Sequence, residues 1–188
     1  MNSLERADQA AYRLNNNTQL TAVEEIQNLE ILQVALEALS EDTVKAEHAT
    51  AFKSHANPRT FLVACHQGKF TLARLIHETA SIKLSGLVTK EGFSPMHMAA
   101  SAGDLEFIKY LEQHKVAIDG EAVTPKGWTP LHSACLKGHE ACITYLLEHG
   151  ADAKKTAGPN NQSPAQLVEA SKNSAAIQAL AKAHLLNK

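Results

Sequence analysis

The chain is expected to be an all-α solenoid of stacked helix-turn-helix units, and three observations point to it. A Ser/Thr-Pro helix start recurs at near-constant spacing, with Pro95, Pro130 and Pro164 separated by 35 and 34 residues. Each start is followed by a short helical stretch, then by a second stretch whose apolar residues keep the same register. No unit is long enough to bury its own apolar stripe, so each needs neighbours; self-similarity at this period marks a stacked repeat.

The clearest copy is Gly127-Trp128-Thr129-Pro130-Leu131-His132-Ser133-Ala134-Cys135-Leu136-Lys137-Gly138-His139. Thr129 suits the N-cap, and Pro130 suits the first helical position, where its missing N–H costs nothing. Gly138 permits the left-handed conformation that ends a helix. The next helix, His139 to His149, puts Cys142, Ile143, Leu146 and Leu147 on one face before Gly150 stops it. Upstream, Ser94-Pro95-Met96-His97 opens the same pattern, with Phe107, Ile108 and Leu111 in the second helix. A worn copy, Phe61 to Gly68, continues into Leu72, Ala73 and Ile76, with Arg59-Thr60 where Thr-Pro is expected. Downstream, Ser163-Pro164-Ala165 leads into Ala176, Ile177 and Leu180, whose small apolar residues and polar outer face suit a terminal repeat. The boundaries are then 58–89, 90–124, 125–157 and 158–188.

Residues 1–57 lack the repeat signature. Leu4, Ala7, Ala11 and Leu14 have helical spacing, and Thr21-Ala22-Val23-Glu24 has capping-box spacing before a helix to about Ser40. That helix carries apolar residues on two sides, as a buried helix does. A weaker helix is expected from Asp42 to about His55, ended by Asn57-Pro58. We read this segment as a helical cap on the first repeat; a separate module is the other reading.

Thr129-Pro130-Leu131-His132-x-Ala134 and Leu146-Leu147-x-x-Gly150-Ala151-Asp152 closely resemble the ankyrin repeat. Two departures stand out. Lys115 replaces the glycine usual after a second helix, and the connection from Val116 to Gly127 is about two residues longer than is common. The resemblance implies a non-catalytic protein-binding module. In this family the fingertips, the residue between Gly and Thr-Pro, and the two residues before the next Gly line a concave face. Carried over, the partner-binding positions are Lys90, Glu91, Phe93, Ser101 and Ala102, then Pro125, Lys126, Trp128, Leu136 and Lys137, then Asn160 and Gln162. Phe93 and Trp128 share one slot and are expected to stack side by side, with Trp128→Ala leaving stability nearly intact. Lys90, Lys126 and Lys137 suggest a partner with some acidic character, against which Glu91 counts. The resemblance also implies that His97, His132 and His139 brace their own turns; His114 and His149 lie near helix C-termini, favourable for a cation.

Composition excludes other classes. The 188 residues carry 18 Lys and Arg against 20 Asp and Glu, net −2, without the basic excess of a nucleic-acid or anionic-membrane binder. No apolar run reaches the ~18 residues of a membrane span, and the N-terminus lacks a secretory signal, so a soluble, cytoplasmic monomer is expected. Cys65, Cys135 and Cys142 occupy small or aliphatic repeat positions and read as free thiols in a reducing compartment; no Cys-x-x-Cys pair or His-Glu-x-x-His suggests a metal. No phosphate loop or nucleophile elbow occurs, so no cofactor, metal or catalytic residue is assigned. Two other readings stand beside protein binding. One is a bacterial effector moved into a host cytosol by type IV secretion, suggested by Leu185 and Leu186 before a polar C-terminus. The other is a weak enzyme or inhibitor activity carried by residues 1–57.

Overall fold

Helix starts fix the architecture of the computed structural model, which describes residues 9–10, 13, 56–122 and 126–171. The expected helices of residues 1–55, the second helix of the last unit and the Leu185-Leu186 signal lie outside those residues. The chain divides into two compact units, Met1–Lys83 and Leu84–Lys188.

In the first unit, α1 (Pro58–His66) and α2 (Phe70–Ala80) form one helix pair. Asn57-Pro58 opens a helix here, a role the sequence reading did not give it. Asn57 Oδ1 accepts the backbone N–H groups of Arg59 and Thr60 at 2.9 and 3.1 Å, and Pro58 takes the first helical position. The start is displaced toward the N-terminus, so Arg59-Thr60 is not a defective cap but part of the helix. Phe61, Ala64, Cys65, Leu72, Ala73 and Ile76 are buried, as the repeat register requires.

The second unit contains α3 (Pro95–Ala102), α4 (Leu105–Gln113), α5 (Pro130–Lys137), α6 (Glu140–Glu148) and α7 (Pro164–Ser171). The first helices pack in a row, α3 on α5 and α5 on α7, while α4 and α6 form a second layer behind them. Ala99, Ala100, Ala134 and Cys135 are fully or almost fully buried, and their small volume lets neighbouring first helices approach closely. Phe107, Ile108, Leu111, Cys142, Ile143 and Leu146 fill the space between layers; each large member contributes roughly 1.5–3 kcal/mol by leaving water. All three cysteines are free and buried. Burial pushes the thiols up, to about 12 for Cys135 and about 11 for Cys142, where Asp104 adds to the shift.

Fingers join successive repeats within the second unit. Ala122 pairs with Trp128 and Ala157 with Gln162 in isolated β-bridges. Gly127 turns its finger with φ +74°, and Asn161 takes the equivalent place at φ +50°, a conformation its short polar side chain tolerates. Behind, Glu112 ties the second helices together. Its carboxylate accepts the Tyr145 hydroxyl at 2.5 Å and His149 Nδ1–H at 2.7 Å, and the Tyr145 and His149 rings stack. Desolvation would push the Glu112 carboxyl up, but these hydrogen bonds outweigh it and hold it below the usual range.

Two turn positions test how tightly this frame is set. Gly103 adopts φ +79°, and a Cβ there would lie 2.6–2.8 Å from the His139 ring. Lys115, by contrast, ends α4 at φ +64° with a side chain that disfavours it. Gly103→Ala should therefore destabilise by about 2–3 kcal/mol, combining left-handed strain with displacement of the imidazole. Lys115→Gly should stabilise by about 0.5–1 kcal/mol, since relief of strain exceeds the added unfolded-chain entropy. Urea unfolding of the two variants measures both signs.

Candidate functional site

The face carrying the expected partner residues is built from the fingers and the first helices, and its frame is set by histidines. The backbone N–H of Ser94 donates to His97 Nδ1 at 3.1 Å, and Ser94 Oγ lies 2.8 Å from the same nitrogen. Because a backbone N–H only donates, Nδ1 is an unprotonated acceptor and the proton sits on Nε2. Nε2–H then donates to the Trp128 carbonyl of the next finger at 2.9 Å. The next unit repeats this. Thr129 N–H and Oγ1 lie 3.2 and 2.7 Å from His132 Nδ1, and His132 Nε2–H donates to the Gln162 carbonyl at 3.1 Å. Each ring thus closes its own cap and holds the finger 30 residues on. The sequence reading had only the first half of this role.

His139 departs from expectation altogether. It makes no side-chain capping bond of its own; Nε2–H reaches back to the Ser101 carbonyl at 3.0 Å, over the space left by Gly103. In the fourth unit Gln166 replaces the histidine. Its Oε1 accepts Ser163 N–H at 2.8 Å, and its own N–H donates to Ser163 Oγ at 3.3 Å, so the cap is kept without an imidazole.

The aromatic slot is occupied differently from the expectation. Phe93 and Trp128 are both half-buried, but among the described ring pairs neither meets the other. Each lies against the histidine of its own unit, Phe93 edge-on to His97 at 5.4 Å and Trp128 tilted on His132 at 5.1 Å. Trp128 Nε1–H also donates to Ser133 Oγ at 3.0 Å. Trp128→Ala therefore removes a hydrogen bond and ring contact, and the expectation of unchanged stability gives way to a modest loss. Ser133, absent from the sequence-derived set, was legible only through this partner.

The remaining positions divide by exposure. Lys90, Glu91, Ala102, Lys126, Leu136, Lys137 and Asn160 are exposed, whereas Ser101 and Gln162 are half-buried and give their carbonyls to His139 and His132. Pro125 lies outside the described residues. Leu136 is 51% exposed; Val88, at 47%, is the other exposed large apolar residue among those described. Leu136 and Lys137 follow Ser133 by three and four residues on α5, so they continue the face that the Trp128 indole touches. Between the fingers, Lys155 Nζ holds Asp119 at 2.6 Å and Glu121 at 3.1 Å, pinning one finger to the next.

Among the described residues no three His, Cys, Asp or Glu side chains are placed to hold a metal ion, and no helix is long and apolar enough to cross a membrane. Paired helices joined by bridged finger turns define a helical-repeat scaffold. A family model for ankyrin repeats, in three copies, matches residues 61–157, just over half of the chain. The chain belongs to the ankyrin repeat family, whose repeats are generally protein–protein interaction modules and typically non-catalytic. Comparison with curated proteins finds no significant match.

The buried imidazoles make stability depend on pH. Burial lowers the affinity of His97 and His132 for a proton; the carbonyls of Trp128 and Gln162 and the Asp119 charge oppose this only in part. With folded values below the unfolded value near 6.5, the unfolded chain binds protons first, so stability is full above that pH and lost below it. Acidification from pH 6.5 to 5 should cost up to ~1.4 kcal/mol per pH unit per histidine until the folded values are reached. Urea midpoints across this range for the parent and His132→Gln measure it, with a shallower slope expected in the variant.

Proposed function

We propose that the protein binds a partner protein through the face formed by its fingers and first helices, centred on Leu136 and the Trp128 indole. The supporting observation is Leu136: a leucine half open to water, one turn beyond Ser133, in a unit whose other large apolar residues are almost all withdrawn. Interface centres are enriched in tryptophan, which Trp128 supplies, and a leucine left open to water gains when a partner covers it. Phe93, Ser101, Ala102, Asn160 and Gln162 extend the face, and Lys90, Glu91, Lys126 and Lys137 form its rim. The three free, buried cysteines support a reducing compartment such as the cytoplasm.

Leu136 is the better probe than Trp128 because it is the more exposed of the two, and Trp128 donates a hydrogen bond to Ser133 that the fold uses. Leu136→Asp should retain the parent's helicity and melting temperature while the proteins retained by the immobilised full chain, measured by quantitative mass spectrometry, fall at least about tenfold. Gln113→Asp, on the exposed end of α4, should leave retention unchanged. Equal retention by the parent and Leu136→Asp would overturn this reading.

A further inference from the structure

The carboxylates of the second unit are largely consumed by the fold. Lys155 holds Asp119 and Glu121, Lys109 holds Glu106 at 2.7 Å, and Tyr145 and His149 hold Glu112. Asp104 caps α4 through the Phe107 N–H at 2.8 Å, and Asp152 Oδ1 takes the Lys154 N–H at 2.8 Å. The lysines of the proposed face are in the opposite state. Lys126 and Lys137 are exposed, and neither side chain makes a hydrogen bond or ion pair with a described residue; the same is true of Lys90 on the preceding finger. Glu91, exposed beside Lys90, is itself engaged. Among the described residues, Lys137 therefore stands unpaired next to the open Leu136 on α5, with Lys126 unpaired on the finger that leads into that helix.

We propose that the occupant of this face is an acidic segment of a partner protein: one large apolar side chain against Leu136 and the Trp128 indole, flanked by carboxylates that meet Lys126 and Lys137. The inference rests on the binding face proposed above and adds the chemistry of what it takes. An apolar anchor supplies residence time, whereas exposed lysines steer a negative partner inward and set the salt dependence of association. A neutral or basic segment would leave the same lysines unpaired or repelled. Lys126 is well placed for this role because only its main chain is committed, its carbonyl accepting the Gly158 N–H at 2.9 Å.

The test is selection of a displayed library of random dodecapeptides on the immobilised full-length protein, followed by fluorescence anisotropy on the enriched peptides. The expected enrichment is a Leu, Ile, Phe or Trp with Asp or Glu on both sides. Binding should weaken at least tenfold in Leu136→Ser, and at least tenfold at ~50 mM salt in the Lys126→Glu, Lys137→Glu double variant, with a flatter salt dependence. Both variants change exposed side chains, and their thermal melts confirm that the fold is kept. Enriched peptides that need Leu136 but show no acidic preference would overturn the acidic-partner inference and leave the binding face standing. Peptides indifferent to Leu136→Ser, or no enrichment at all, would count against both.

Discussion

The two-sided bond of a neutral imidazole is the constraint from which the rest of the second unit follows. His97 and His132 each satisfy the start of their own helix through Nδ1 and the carbonyl of a finger turn about 30 residues away through Nε2. A hydrogen bond of this kind contributes only about 1 kcal/mol net, but leaving a buried partner unsatisfied costs more. Local and long-range structure are thereby coupled: a helix start that frays also releases the next finger. The finger in turn carries Trp128 or Gln162, so the geometry of the exposed face is fixed from beneath by groups that never reach solvent.

The family's periodicity made most of this fold legible in advance. Proline starts, glycine stops and the triplets Leu72-Ala73-Ile76, Phe107-Ile108-Leu111 and Cys142-Ile143-Leu146 report helices and their buried faces through interactions within four residues. What such patterns do not carry is anything between repeats. His139 looked like a brace for its own turn because its register says nothing of Ser101 or of the room above Gly103. Asn57-Pro58 shows a different limit: Asn before Pro both disfavours a continuing helix and caps a new one, and the new start at Pro58 is evident only from the helix that follows. Lys115 was read correctly as a missing glycine, and the chain answers by forcing lysine itself into the left-handed region.

The candidate site was legible as a set of positions and less so as a set of roles. Register alone places Phe93 and Trp128 in one slot, but not that each would turn onto its own histidine instead of its neighbour. Nor does it separate exposed side chains such as Leu136, Lys126 and Lys137 from Ser101 and Gln162, whose carbonyls hold the scaffold together. On the proposed face, the Ser101 and Gln162 carbonyls and the Trp128 indole N–H serve the scaffold, while the Leu136, Lys126 and Lys137 side chains point to the proposed recognition.

The coupling of caps to fingers requires one protonation state, and that state is directly observable. Long-range proton–nitrogen correlation spectra of the uniformly nitrogen-15-labelled protein at neutral pH distinguish the two neutral tautomers and the imidazolium. The account predicts that His97 and His132 are neutral, with the proton on Nε2 and an acceptor shift at Nδ1. A proton on Nδ1 of either ring would be incompatible with the Ser94 and Thr129 N–H donors and would contradict it.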